Sequence, residues 1–278
     1  MGEALALLSA LCFGIADFSG GLLSRRARPE LIGLIGQVSG LLATAVAAFL
    51  VAAPTVQTPS LLWGALSGLG TGIGVLFLYR GMGRGRMSVV VPLSDVGGVA
   101  LPVLAGVALL GDRPSGSAWA GIVVALPALW LIAREGGGDH DSNSANSAVD
   151  GLIAGIGFAL QNIALGQVDP AAGMWPIAIS RLVSALTLFP AVLSTPQRFR
   201  VPPRLLLPAA VTGIVAAAAI VLYTLATRQQ LLAIAVVLSS LYPAIPVLLG
   251  ISLLKEELRA TQVLGLVGAG AAIVLLAI

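Results

Sequence analysis

The chain has 278 residues, of which 58% are hydrophobic and 10% charged, with a net charge of +3. So much apolar surface exceeds what a soluble domain of this length can bury, which excludes a soluble globular protein and calls for the bilayer as solvent. Nor does the positive balance indicate a nucleic-acid partner, because the 15 basic residues sit mostly in short loops between apolar spans.

A bilayer core needs about 20 apolar residues per spanning helix. Ten such stretches occur, over 4–23, 31–53, 61–79, 88–110, 116–133, 149–168, 172–194, 204–226, 232–254 and 260–277. The first follows Met1, Gly2 and Glu3 without a basic n-region and precedes nine others, so it reads as helix 1 and not as a cleaved signal peptide. The fold class predicted is an all-α membrane protein of ten transmembrane helices. Cys12, the single cysteine, lies in a span and reads as a small packing residue. Helix 3 carries Gly64, Gly68, Gly70, Gly72 and Gly74, a small-residue face that lets backbones approach closely.

The polar stretch from Arg134 to Asp150 divides five helices from five. Shifting the sequence by 144 residues lays the second half on the first without a gap. Tyr79 then meets Tyr223, Arg84 meets Arg228, Pro102-Val103-Leu104 meets Pro246-Val247-Leu248, Gly106 meets Gly250, Leu109-Leu110 meets Leu253-Leu254, Gly121 meets Gly265, and Asp112 meets Glu256. The organisation predicted is a first repeat over 1–133, a polar linker over 134–148 and a second repeat over 149–278. An odd number of spans per repeat sends the second half into the membrane from the opposite side. That is an inverted-repeat plan, with a substrate site near midplane between the halves.

Arg181 falls near the centre of helix 7, where an unpaired charge costs about 2.5–3.5 kcal/mol. It reads either as half of a buried ion pair or as a fixed cation that recognises a substrate carboxylate or phosphate. Two acids lie well inside spans, Asp17 in helix 1 and Asp95 in helix 4, and against Arg181 they leave one negative charge. An acid without a fixed cation in such a setting is a candidate proton carrier. Gln37, Tyr79, Gln161, Asn162, Tyr223, Ser239 and Tyr242 form a second set of candidate substrate-binding groups, with hydrogen bonds between helices as their packing alternative. The 144-residue shift pairs Gln161 with Asp17 and Ser239 with Asp95. Helix 4 contains Pro92, Gly97, Gly98 and Pro102, and helix 9 contains Pro243 and Pro246, so both are primed to kink or unwind.

The stretches PVLAGVALLGDRPSGSAWAGIVVALPALWLI and PVLLGISLLKEELRATQVLGLVGAGAAIVLLA resemble the paired signature of the drug/metabolite transporter superfamily, EamA type. The resemblance covers essentially the whole chain. It implies a ten-helix exporter or permease, with helices 1–4 and 6–9 around a central cavity and helices 5 and 10 outside. That family often carries an arginine in the second helix of a repeat; here the second repeat has Arg181 and the first has Gln37 at the matching position.

The function expected is secondary transport of small polar metabolites, such as amino acids or related organic ions, by alternating access with possible proton coupling. The partners expected are a small-molecule solute, the lipid bilayer and protons, in a monomer or homodimer of the plasma (inner) membrane, without cofactor or metal. A membrane-embedded enzyme is disfavoured, since the only histidine, His140, is in the linker and Glu256-Glu257 has no histidine beside it. Those two glutamates read instead as groups that cap or orient helix ends. A passive channel would need rings of repeated charge or a carbonyl-lined filter. Five loops on one side hold Arg25, Arg26, Arg28, Arg80, Arg84, Arg86, Arg134, Arg198, Arg200, Arg204, Lys255 and Arg259, against Arg113 and Arg228 on the other. The positive-inside rule thus puts both termini outside the cytoplasm, whereas the resemblance implies termini inside.

Overall fold

A computed structural model of the chain describes residues 2–105, 115–135, 142–194, 201–229, 238, 242–256 and 258–277. Ser239, Gly106, Leu109, Leu110, Asp112, Arg113, His140, Arg198, Arg200 and Glu257 lie outside the described residues, as do the side chains of Arg134 and Arg228. Ten α-helices are described: α1 Gly2–Ser24, α2 Pro29–Leu50, α3 Thr58–Arg84, α4 Met87–Ala105, α5 Gly116–Glu135, α6 Ser142–Leu165, α7 Trp175–Leu193, α8 Pro203–Gln229, α9 Ala244–Leu253 and α10 Ala260–Ala277. Six of them are long and apolar enough to cross a membrane, namely α1, α2, α3, α6, α7 and α8; α4, α5, α9 and α10 contribute shorter apolar segments.

Boundaries follow local chemistry. Prolines at the first turns of α2, α3 and α7 have no N–H to leave unpaired there. α6 starts at Ser142, inside the stretch read as linker. α4 stays helical through Pro92 and Pro102, so it is not unwound at either proline. Helix 9 is different: Tyr242 and Pro243 form a turn, Pro243 is the N-cap, and the helix runs from Ala244 to Leu253.

Each half packs chiefly on the other. α3 lies against α6 and α7, and in the inverted sense α8 lies against α1 and α2. α2 meets α7, α4 meets α9 and α5 meets α10, so matching helices of the two repeats pair across one axis. The glycine face of α3 resolves into two stripes. Gly64, Gly68 and Gly72 sit over Pro176, Ser180 and Thr187 of α7, while Gly70 and Gly74 sit over Gly157, Gln161 and Phe158 of α6. A Cβ on Gly70 would lie 2.6 Å from both Gln161 N and Gly157 O. In a bilayer, apolar side chains gain little by leaving lipid, so this close backbone packing, with its many dispersion contacts, holds the helices together.

On the other side Gly213 of α8 carries the matching contact, because a Cβ there would overlap Gly36 O and Ser39 Oγ of α2. Overpacking of this kind costs about 1–3 kcal/mol. Gly213→Ala should therefore lower the thermal midpoint in detergent by several degrees. Gly270→Ala, with nothing within 4 Å of the added methyl, should leave it unchanged.

Candidate functional site

Arg181 of α7 and Gln37 of α2 are 144 residues apart, and the Arg181 guanidinium donates to Gln37 Oε1 at 3.0 Å. Two positions related by the internal repeat can touch only on the axis that relates the halves, so this contact marks that axis. Both side chains are buried, at 7% and 4% exposure. No carboxylate lies within ion-pair distance of Arg181 among the described residues. The guanidinium is held by a neutral amide, beside Gly40, where a Cβ would lie 3.2 Å from Gly213 O and in ordinary contact with the Arg181 side chain.

Asp17 of α1 is half-buried and within electrostatic reach of Arg181, and Tyr79 of α3 is within reach of both. The Tyr79 ring lies directly over Gly20, where any Cβ would overlap it. Asp95 of α4 is 4% exposed. Tyr242 Oη donates to its Oδ1 at 2.6 Å, while its Oδ2 is buried without a hydrogen-bond partner among the described residues. Asp17 and Asp95 also interact electrostatically. Arg181, Gln37, Tyr79, Asp17, Asp95 and Tyr242 thus form one polar cluster between the halves. Phe13 of α1, which was not singled out in the sequence, stacks at a tilt against Tyr242 with centroids 5.7 Å apart.

The remaining candidates have other surroundings. Gln161 accepts from Thr71 Oγ1 at 2.7 Å, and Asn162 donates to Gly98 O at 2.9 Å; these bonds tie α6 to α3 and α4. Tyr223 packs with Ala6, Ala226 and Leu238, apart from the cluster. Thr71 had no marker in the sequence, and Gly98 acts through its backbone oxygen, a group that a side-chain pattern does not reveal.

The model of the EamA-like transporter family matches residues 1–134 and 147–278. The chain belongs to the EamA-like transporter family. It is therefore a multi-pass membrane protein of drug/metabolite transporter type, with ten helices in two inverted five-helix repeats. No curated protein matches it. A solved structure described only as the crystal structure of a protein is similar over 99% of this chain and 96% of its own, with 16% identity and a TM-score of 0.64, which shows the shared fold alone.

The guanidinium–amide contact generates a stability prediction for this EamA-family chain. Gln37→Leu removes the acceptor and leaves a buried charged donor bare, at a cost of about 1–3 kcal/mol. Gln37→Glu supplies an anion at the same place. The leucine variant should unfold at lower temperature than the parent and the glutamate variant at higher temperature, both followed by thermal denaturation in detergent.

Proposed function

We propose that this protein is a secondary transporter, an exporter or permease, of small polar metabolites such as amino acids or related organic ions. It would work in the plasma membrane as a monomer or homodimer. The observation that carries this reading is the Arg181–Gln37 contact on the inter-repeat axis, with Asp17 within electrostatic reach of it and Asp95 within reach of Asp17. A fixed cation and two acids between halves that pack in an inverted sense support an alternating-access carrier of polar solutes, because ionisable groups in a membrane interior mark substrate and ion pathways. Saturable flux of an amino acid, organic acid, sugar or amine into proteoliposomes tests the reading, and a panel without saturable movement would overturn it.

In this scheme Arg181 binds an anionic group of the solute through its paired N–H donors, exchanging the Gln37 amide for the ligand. Arg181→Lys keeps the charge but loses the planar fork, so its apparent affinity should fall by about tenfold, and Arg181→Ala should weaken it further while inserting normally. Unchanged saturation curves for a well-folded alanine variant would make the residue idle.

Asp95 is the proton carrier we assign, with Asp17 as the alternative. Asp95 lies on the Pro- and Gly-bearing α4, and one of its carboxylate oxygens has no partner among the described residues. Asp95→Asn should retain solute binding and counterflow but lose uphill accumulation driven by a pH gradient. Full gradient-driven accumulation by both Asp95→Asn and Asp17→Asn would exclude proton coupling through either acid and leave uniport or exchange.

A further inference from the structure

Away from the central cluster, the basic end of the molecule carries a second set of charged groups, an exposed guanidinium and a mostly buried carboxylate. Helix α9 ends in a turn at Lys255, whose φ of 53° places a side-chain-bearing residue in the left-handed region. Lys255 is the only non-glycine residue with such a φ among the described residues. Leu254 N and Glu256 N both return to Gly250 O at 3.2 Å, which closes the turn. The result is that Glu256 points back across the boundary between the repeats. Its Oε1 accepts from Met87 N and its Oε2 from Ser88 N, each at 3.0 Å, at the start of α4 in the first repeat. A carboxylate at a helix N-terminus satisfies otherwise unpaired amides and faces the positive end of the helix dipole.

Arg25, just beyond α1, completes the set. Its Nη2 donates to Glu256 Oε1 at 3.1 Å and to Gly85 O at 3.0 Å, and its Nε donates to Met82 O at 3.2 Å. One carboxylate and one guanidinium therefore join α1, the α3–α4 junction and α9. The carboxylate is mostly buried, with a side-chain exposure of 7%. Gly250 leaves it room, because a Cβ there would lie 3.2 Å from Glu256 Oε2. The left-handed turn at a lysine is a local cost that the contacts of Glu256 offset.

The repeat makes this arrangement one-sided. Adding 144 to Arg25 gives Asp169, an acid where the first repeat has a cation, and Asp169 is committed to capping a short 3-10 turn through Ala171 N at 2.8 Å. The guanidinium half of the junction has no counterpart at the opposite end.

We infer that Arg25 and Glu256 form a latch between the repeats that closes the basic end, and that this latch must release for the central site to open there. The inference rests on the alternating-access reading above. In the latched state α4 is held at its first turn by a residue from beyond α9. Opening at this end separates α1 and α4 from α9, so Glu256 must leave the Met87 and Ser88 amides. The carboxylate and the amides then take up water, which supplies replacement partners and makes the step reversible.

The test reads conformation without requiring transport. In a Cys12→Ser background, Asp17→Cys places a single thiol in the central cluster, and a membrane-impermeant thiol reagent is applied from either side of oriented vesicles. Arg84→Cys, on the exposed end of α3, marks the basic side. Glu256→Gln and Arg25→Gln should each speed labelling from the basic side by about tenfold or more, the shift in a two-state equilibrium expected for loss of a charge-assisted hydrogen bond. Arg25→Gln leaves the α4 cap in place, so it remains informative if Glu256→Gln folds poorly. Unchanged labelling in well-folded variants, or acceleration from the opposite side, would overturn the latch. A labelling response without saturable flux of any solute would instead sink the transporter reading and leave the latch standing.

Discussion

The close approach of α3 to α6 and α7 is the constraint on which the rest of this architecture depends. Helices in lipid gain little from burying leucine against leucine, so association has to come from tight backbone packing and from polar contacts. Two stripes of glycine on one helix provide the first, and both face the other repeat. A repeat of five helices is thus a unit of symmetry and not a separate body: its third helix is seated in the partner half, and the partner's α8 is seated in return against α1 and α2.

That interleaving brings the second helices, α2 and α7, together on the axis, and it determines what can stand there. Equivalent positions on an axis face each other. Two arginines at positions 37 and 181 would oppose like charges in a low-dielectric setting, with no neutral acceptor between them. Glutamine at 37 resolves this by giving the single guanidinium an amide oxygen at 3.0 Å. The departure from a two-arginine pattern, visible in the sequence only as a mismatch, has a physical reason once the two residues are seen in contact.

Much of the fold was legible in the sequence because the bilayer allows few solutions. Apolar length marked ten helices, and the 144-residue shift exposed the repeat and brought Gln37 and Arg181 to equivalent positions. The glycines of α3 were recognisable as a packing face, but their division between α6 and α7 depends on crossing geometry that a single helix does not encode. The central cluster was legible in part. Asp17, Asp95 and Arg181 stand out because charge in a span is rare. The surroundings of Gln161, Asn162 and Tyr223 were not legible, since partners such as Gly98 O belong to the backbone. The prolines were legible in part: α4 runs as one helix through Pro92 and Pro102, whereas helix 9 does give way to a turn at Tyr242 and Pro243.

That turn also breaks the symmetry at the site. The 144-residue shift takes Tyr242 to Gly98 and Asp95 to Ser239, so the phenol–carboxylate bond between helix 9 and α4 has no equivalent in the inverted sense. A perfectly two-fold centre would present the same groups to both sides of the membrane, and inward and outward states would then be equal in energy. Among the described residues every charged element near the axis occurs once: one guanidinium, one phenol–carboxylate pair and one further acid. The symmetry of the helix packing is therefore not carried over to the chemistry, and equivalent surroundings in the two halves hold unlike polar groups.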